Sequence, residues 1–300
     1  MSIIRQSRRR RRPPRSLIAP MLAAIVVVAA FIGGGCQKRI PRPGAPSPRI
    51  VAYSPALAEI VIGVGLGDYV VGLTSGSPLP PGEPPAVVGD AISVNIEAIA
   101  AVRPDLLLTQ SRPDMFEPLR RLDPNVRIEY FSIETVGGLA DALERVGLLA
   151  GRPDLGAAAK QRFETDIENL SARVRGLDRP KVLFVMDHLH PFTGGKGTFL
   201  DEMISLAGGT NAAARAGWHS MNVEDILAAR PDVLICQSVA ASARSAGEYF
   251  AGLSDLPAAS SRRVFVVTDA GWTIPSPRVA QYVSKLADMI HPQPTGASRP

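Results

Sequence analysis

The chain has 300 residues, 46% of them hydrophobic, 20% charged and 5% aromatic, and a formal charge of +5. The basic excess is confined to one end: seven arginines lie in residues 5–15, and without residues 1–35 there remain 26 basic and 28 acidic residues, a net of −2. With no Arg/Lys stripe interleaved with aromatics in that remainder, a nucleic-acid partner is excluded.

Residues 1–35 read as a bacterial export signal, with a basic head, the apolar run LIAPMLAAIVVVAAFIGGG and small residues before Cys36. Gly33-Gly34-Gly35-Cys36 resembles a lipoprotein box, in which Cys36 takes the lipid and becomes the first mature residue. The match departs at Gly33, where such boxes usually carry Leu. The apolar run also approaches the ~20 residues that span a bilayer, so a retained anchor is the alternative. Either way the globular part stands outside the cytoplasmic membrane, tethered at its N-terminus, in the periplasm or cell envelope. The only other cysteine, Cys236, sits in apolar VLICQ and reads as a small buried hydrophobe. No disulfide framework and no thiol chemistry are implied.

Residues 36–48 form a Pro-rich linker. Beyond it RIVAYS predicts a strand, ALAEIVIGVGLG a helix closed by glycines, and DYVVGLTS a second strand. After a Pro-rich loop come a helix over 95–102, a Pro-Asp turn, a strand over 106–110, the strand VRIEYFS and the helix VGGLADALERVGLLAG. Apolar strands alternating with helices predict a parallel sheet covered on both faces. Residues 154–177 predict a connecting helix, with Ala159, Phe163, Ile167, Leu170 and Val174 recurring at helical spacing as one apolar stripe. A Gly/Ser-poor connector of this length predicts a rigid strut. The plan then repeats: strand KVLFVMD, loop HLHPFTGGKG, helix TFLDEMISLAGG, strand RRVFVVTD and closing helix AQYVSKLADMI. The expected organisation is an N-terminal α/β lobe over 49–153, the strut, a C-terminal α/β lobe over 178–292 and a disordered tail over 293–300. The fold class is α/β: two Rossmann-like lobes with central parallel sheets, joined by one long rigid helix, with a ligand cleft between them.

One segment is written twice. NIEAIAAVRPDLLLTQS starts at Asn95 and NVEDILAARPDVLICQS at Asn222, with ten of seventeen positions identical. Each Asn is placed to cap its helix and each Pro to stop it. Glu97 and Glu224 fall in the first turn, where the helix dipole favours a carboxylate. A matched pair of carboxylates on two pseudo-equivalent lobes also suits a partner that is itself two-fold.

Taken together, RIVAYSPALAEIVIGVGLGDYVVGLT, NIEAIAAVRPDLLL, PFTGGKGTFLDEMISLAGGTNAA, NVEDILAARPDVLI and the closing PSPR, over about residues 49–290, resemble the helical-backbone substrate-binding proteins of ABC importers. That family serves vitamin B12, ferric siderophores and haem. The resemblance implies a non-enzymatic, monomeric binding protein that delivers its ligand to a permease dimer with a cytoplasmic ATPase. It also implies that Glu97 and Glu224 meet arginines on the two permease subunits.

Ligands of open α/β units bind at the carboxyl ends of strands. In the second lobe those loops hold Phe192, Trp218 and Trp272, with Tyr53 opposite in the first, and these four are the expected ligand wall. His188, His190 and His219 share this mouth, with His188 and His190 as ligand-contact candidates; no Asp/Glu/Cys completes a metal site around them. The first-lobe stretches SGSPLPPG and Ile92-Ser93 lack the aromatics common in vitamin B12 binders. FTGGKGT is not a phosphate loop, because Gly197 follows Lys196 and His190 stands where the first Gly is required. Neither GxSxG nor HExxH occurs, which leaves a hydrolase as the remote alternative. No cofactor is expected. Among ligands a corrinoid ranks first, because a broad, partly apolar disc suits an aromatic wall. A ferric siderophore would need convergent arginines, for which Arg112, Arg215 and Arg244 are the nearest by chain position. Haem follows.

Overall fold

The computed structural model describes residues 48–90 and 93–292. The export signal, Cys36, the linker up to residue 47 and the tail over 293–300 lie outside the described residues. Among the described residues, no helix is long and apolar enough to cross a membrane.

The first lobe opens with β1 (Ile50–Tyr53), a buried IVAY strand followed directly by α1 (Pro55–Val64). Ser54 caps that helix by accepting from the Leu57 N–H, and Pro55 occupies the first turn, where its missing donor costs nothing. Then come β2 (Val70–Leu73), β3 (Ala86–Val87), α2 (Ile96–Ala101), β4 (Leu106–Thr109), α3 (Glu117–Leu122), β5 (Arg127–Tyr130) and α4 (Val136–Leu149). The strands form one sheet in the order β3-β2-β1-β4-β5, parallel throughout. β1 and β4 are fully buried because helices cover both faces, so they read as unbroken apolar runs rather than alternating ones.

Helix α5 (Pro153–Arg173) carries the chain to the second lobe. Its 21 residues span roughly 32 Å at 1.5 Å per residue. Ala159 and Phe163 are buried, and Ile167 and Leu170 pack partly against the same core. The helix ends at Arg173, short of the expected residue 177.

The second lobe holds β6 (Lys181–Met186), β7 (Phe192–Gly194), α6 (Phe199–Leu206), β8 (Thr210–Asn211), β9 (Trp218–Ser220), α7 (Val223–Ala229), β10 (Val233–Gln237), α8 (Ala243–Ala251), α9 (Pro257–Ser260), β11 (Val264–Val267) and α10 (Val279–Ile290). Its sheet runs β11-β10-β6-β7-β9, with β8 also on β6. The expected parallel centre is present in β11, β10 and β6, but β7 turns back antiparallel on β6, and β9 pairs antiparallel with β7. The segment read as the loop HLHPFTGGKG therefore contains a strand, and Trp218 lies in a strand and not a loop.

One hydrophobic core joins the lobes: Leu57 and Leu143 belong to the same buried cluster as Phe163, Phe184, Trp272 and Tyr282. Two polar contacts cross as well. Glu202 in the first turn of α6 accepts the Val136 N–H at the start of α4, and Arg278 reaches Glu59 of α1 at 3.4 Å. Helix α4 follows β5 at the carboxyl end of the first sheet, whereas α6 follows β7, which runs back antiparallel from the carboxyl end of β6.

Candidate functional site

The duplicated segment builds the same small device in each lobe. Asn95 Oδ1 accepts the Ala98 N–H at 2.9 Å, and Asn222 Oδ1 accepts the Asp225 N–H at 2.7 Å, with Asp225 returning the bond to the Asn222 N–H. Arg103 (φ 44°) and Arg230 (φ 46°) both turn left-handed beyond the helix. The Asp that follows each Pro has a role the sequence left unexplained. Asp105 Oδ2 accepts the Arg49 N–H at 2.8 Å, and Asp232 Oδ2 accepts the Lys181 N–H at 2.8 Å. Each therefore holds the amino end of its lobe's central strand. Ile99 and Ile226 are buried beneath the two helices. Glu97 and Glu224 are exposed, and neither makes a side-chain hydrogen bond or ion pair with the described residues. Helix capping accounts for the Asn and strand anchoring for the Asp, while the two glutamates have no internal work.

In the second lobe, β7 and β9 position two exposed aromatics. Phe192 and Trp218 are each 38% exposed, and their rings lie near-parallel at 7° with centroids 6.2 Å apart. Phe199 supports the Trp218 ring from the side at 6.3 Å. The glycines of FTGGKGT make this possible. A Cβ on Gly194 would meet the Trp218 ring at 3.0 Å, and one on Gly195 would meet the Arg215 carbonyl oxygen at 1.8 Å. Gly195 N–H donates to the Gly217 carbonyl, and Gly217 N–H to the Lys196 carbonyl, which locks the 215–217 turn over the strand. The motif packs one backbone closely against another and does not cradle phosphate.

The other two expected wall residues are buried. Trp272 is 2% exposed and packs between Phe184 and Tyr282, at 6.0 and 4.9 Å between ring centroids. Tyr53 is 3% exposed, stands edge-on to Phe116 at 5.2 Å and donates its hydroxyl to the Ser93 carbonyl. Both are core side chains: Tyr53 is the last residue of fully buried β1, and Trp272 turns inward in the short turn after β11. The four-ring wall is corrected to a two-ring platform borne by the second lobe alone.

The histidines separate. The His190 side chain is 90% exposed, its Nδ1 4.0 Å from Asp187 Oδ2, while His188 is buried, its Nδ1 enclosed 3.4 Å from Asp187 Oδ1 without hydrogen-bond geometry. His219 is also buried, its Nδ1 at 3.0 Å from the Gly217 carbonyl. Among the described residues no group of three His, Cys, Asp or Glu side chains could hold a metal ion. Of the arginines, Arg112 is tied to Asp114, and Arg215 and Arg244 lie exposed. Sequence reading missed Asp187, which sits left-handed (φ 62°) at the end of β6. Hydrogen bonds from the Leu189 and His188 N–H groups hold its carboxyl below the usual carboxylate range. Burial pushes the Cys236 thiol up to about 12, which makes it inert at neutral pH. A groove of about 690 Å³ between α4, α5 and α6 carries Asp141, Glu164, Glu168 and Glu202 but none of the platform residues.

Comparison with known proteins agrees with this architecture. The chain is 28% identical over 256 residues to an uncharacterized ABC transporter substrate-binding lipoprotein, YvrC, of Bacillus subtilis (strain 168), covering 81% of this chain and 80% of that one. It is 26% identical over 216 residues to the vitamin B12-binding protein of Salmonella typhimurium, covering 70% and 80%. Among solved structures, the apo periplasmic heme-binding protein RhuT from Roseiflexus sp. RS-1 superposes with a TM-score of 0.71 at 25% identity, covering 81% of this chain and 98% of that one. Each of these relatives is named as a binding protein, and YvrC as one of an ABC transporter. The periplasmic binding protein model matches residues 50–270, and this chain belongs to that family.

Proposed function

We propose that this protein is the extracytoplasmic solute-binding component of an ABC importer, and that its ligand is a planar metal chelate, a corrinoid first. The observation that carries the ligand reading is the exposed Phe192–Trp218 pair at the carboxyl edge of the second sheet. Aromatic rings left 38% exposed side by side are costly unless something covers them, and a broad partly apolar disc does so. The vitamin B12-binding relative supports the same class. Haem is the second reading, favoured by the heme-binding structural relative and by the solvent-facing His190 as an axial donor. A siderophore gains little support, since Arg112 is already neutralised by Asp114.

Delivery runs through Glu97 and Glu224, one on each lobe, which engage the two permease subunits. Cys36 carries the lipid that holds the monomer at the membrane, as the lipoprotein relative suggests. Titrating the protein with cyanocobalamin, haemin and a panel of ferric siderophores, followed by tryptophan quenching and visible spectra, tests the ligand. Micromolar or tighter cobalamin binding that Trp218→Ala abolishes is expected. Tight siderophore binding with no cobalamin signal overturns the reading.

A further inference from the structure

We infer that a second hollow beside the platform is a subsite for uncharged, amide-bearing arms of the ligand, and that it selects against carboxylate-bearing ones. The inference rests on the Phe192–Trp218 platform being part of the ligand site. The hollow, about 330 Å³, lies at the carboxyl ends of β6, β10 and β11, where an open α/β sheet binds its ligands. Residues 187–191 link it to Phe192, so one ligand can span both.

Its chemistry is one-sided. Asp187, His188, Gln237, Ser242 and Thr268 line it, and neither Lys nor Arg does. Asp187 stays ionised. The His188 ring is more than nine-tenths buried, and neither ring nitrogen makes a hydrogen bond with the described residues. Its Nδ1 stands 3.4 Å from Asp187 Oδ1 without hydrogen-bond geometry, so the Asp187 carboxylate is the first acceptor in the hollow. Gln237 commits one amide N–H to the Asp269 carbonyl, which leaves its Oε1 as a second acceptor and its other N–H as a donor. A primary amide offers two N–H donors to these acceptors and a carbonyl to the Ser242 or Thr268 hydroxyl. A carboxylate offers no donor and meets the Asp187 charge. Two apolar side chains, Leu189 at 71% and Val239 at 69% exposure, frame the mouth and suit the short alkyl stem of such an arm.

Two corrinoids with one ring and different arms test this. Dicyanocobinamide carries carboxamide arms, and dicyanocobyrinic acid carries carboxylic acids in their place. At pH 7.5 the full chain is expected to bind the amide at least about tenfold more tightly, and Asp187→Asn to shrink that ratio toward one. Equal affinities, or tighter acid binding through the exposed Arg244 nearby, overturn the subsite. If neither corrinoid binds, it is the platform reading that fails. A measurement independent of the platform then decides the subsite: the His188 ring resonances, followed by NMR, should move with millimolar propionamide and not with propionate. Movement with both or with neither overturns the inference.

Discussion

In both lobes an Asn caps a short helix, an Arg turns left-handed behind it, and an Asp holds the first N–H of the central strand. Beyond that device the lobes diverge. The first sheet is parallel from edge to edge, with Tyr53 sealed in the core at its carboxyl end and Tyr130 half-exposed on its edge strand β5. The second adds β7 and β9 antiparallel and uses them to present Phe192 and Trp218. On the proposed function the difference separates two tasks, with the surface that would meet a two-fold partner duplicated and the one that would meet an asymmetric ligand built once.

The largest expected effect tests the duplicated half of that comparison. Glu97→Ala and Glu224→Ala should each depress ligand uptake in a reconstituted importer, and the double variant most of all. Each lost charge pair costs about 2–5 kcal/mol if it is desolvated against the permease. Ligand affinity and unfolding midpoint should stay put, since neither carboxylate touches another described side chain. Equal single defects support symmetric docking; a defect in only one lobe would break the comparison.

Next come the tryptophans. Trp272→Ala should cost about 3–5 kcal/mol in urea unfolding, because it empties the space between Phe184 and Tyr282. Trp218→Ala should cost about 1 kcal/mol, as a partly exposed ring loses little burial. In ligand titrations the order reverses. Should Trp272→Ala fold well and lose the ligand, the assignment of that ring to the core is wrong.

Smaller and matched are the strand anchors. Asp105→Ala and Asp232→Ala each free one main-chain N–H, at Arg49 and at Lys181, both near solvent. The expected loss is about 1 kcal/mol for either, read from chemical denaturation. A loss several times larger in one lobe shows that the two devices differ in energy despite matching in geometry.

Much of this was legible in the residues. Continuous apolar runs such as IVAY and VLFVM announce parallel strands buried on both faces, and the seventeen-residue repeat announces two lobes. The platform's scaffold was not legible. β7 and β9 are three residues each, and they exist because residue 192 pairs with 220 and 194 with 218, a long-range match that no local pattern records. Gly194 and Gly195 were the available signal, since adjacent glycines in a strand mark a close backbone approach. Trp272 misled because position after a glycine says nothing of which way a ring turns. Tyr282, ten residues on, decided that.

The last and smallest expectation concerns acid. Strand β5 lies beside β4 as β11 lies beside β10, and through the repeat Glu129 occupies the place that Phe265 takes in the second lobe. Burial pushes the Glu129 carboxyl up, but hydrogen bonds from Arg127 and Arg145 outweigh it and hold the group below its ordinary value. A carboxyl whose folded pKa lies below its unfolded value of about 4.3 contributes stability that is fully present above that pH. The contribution fades as pH falls through the folded value. Phe265 has no such dependence. Glu129→Gln should therefore lower stability by about 1 kcal/mol at pH 7 and flatten its decline below about pH 4. Urea midpoints of both proteins between pH 3 and 7 check this. Parallel profiles would mean that the acid sensitivity resides elsewhere and that the two edge strands are equivalent in this respect.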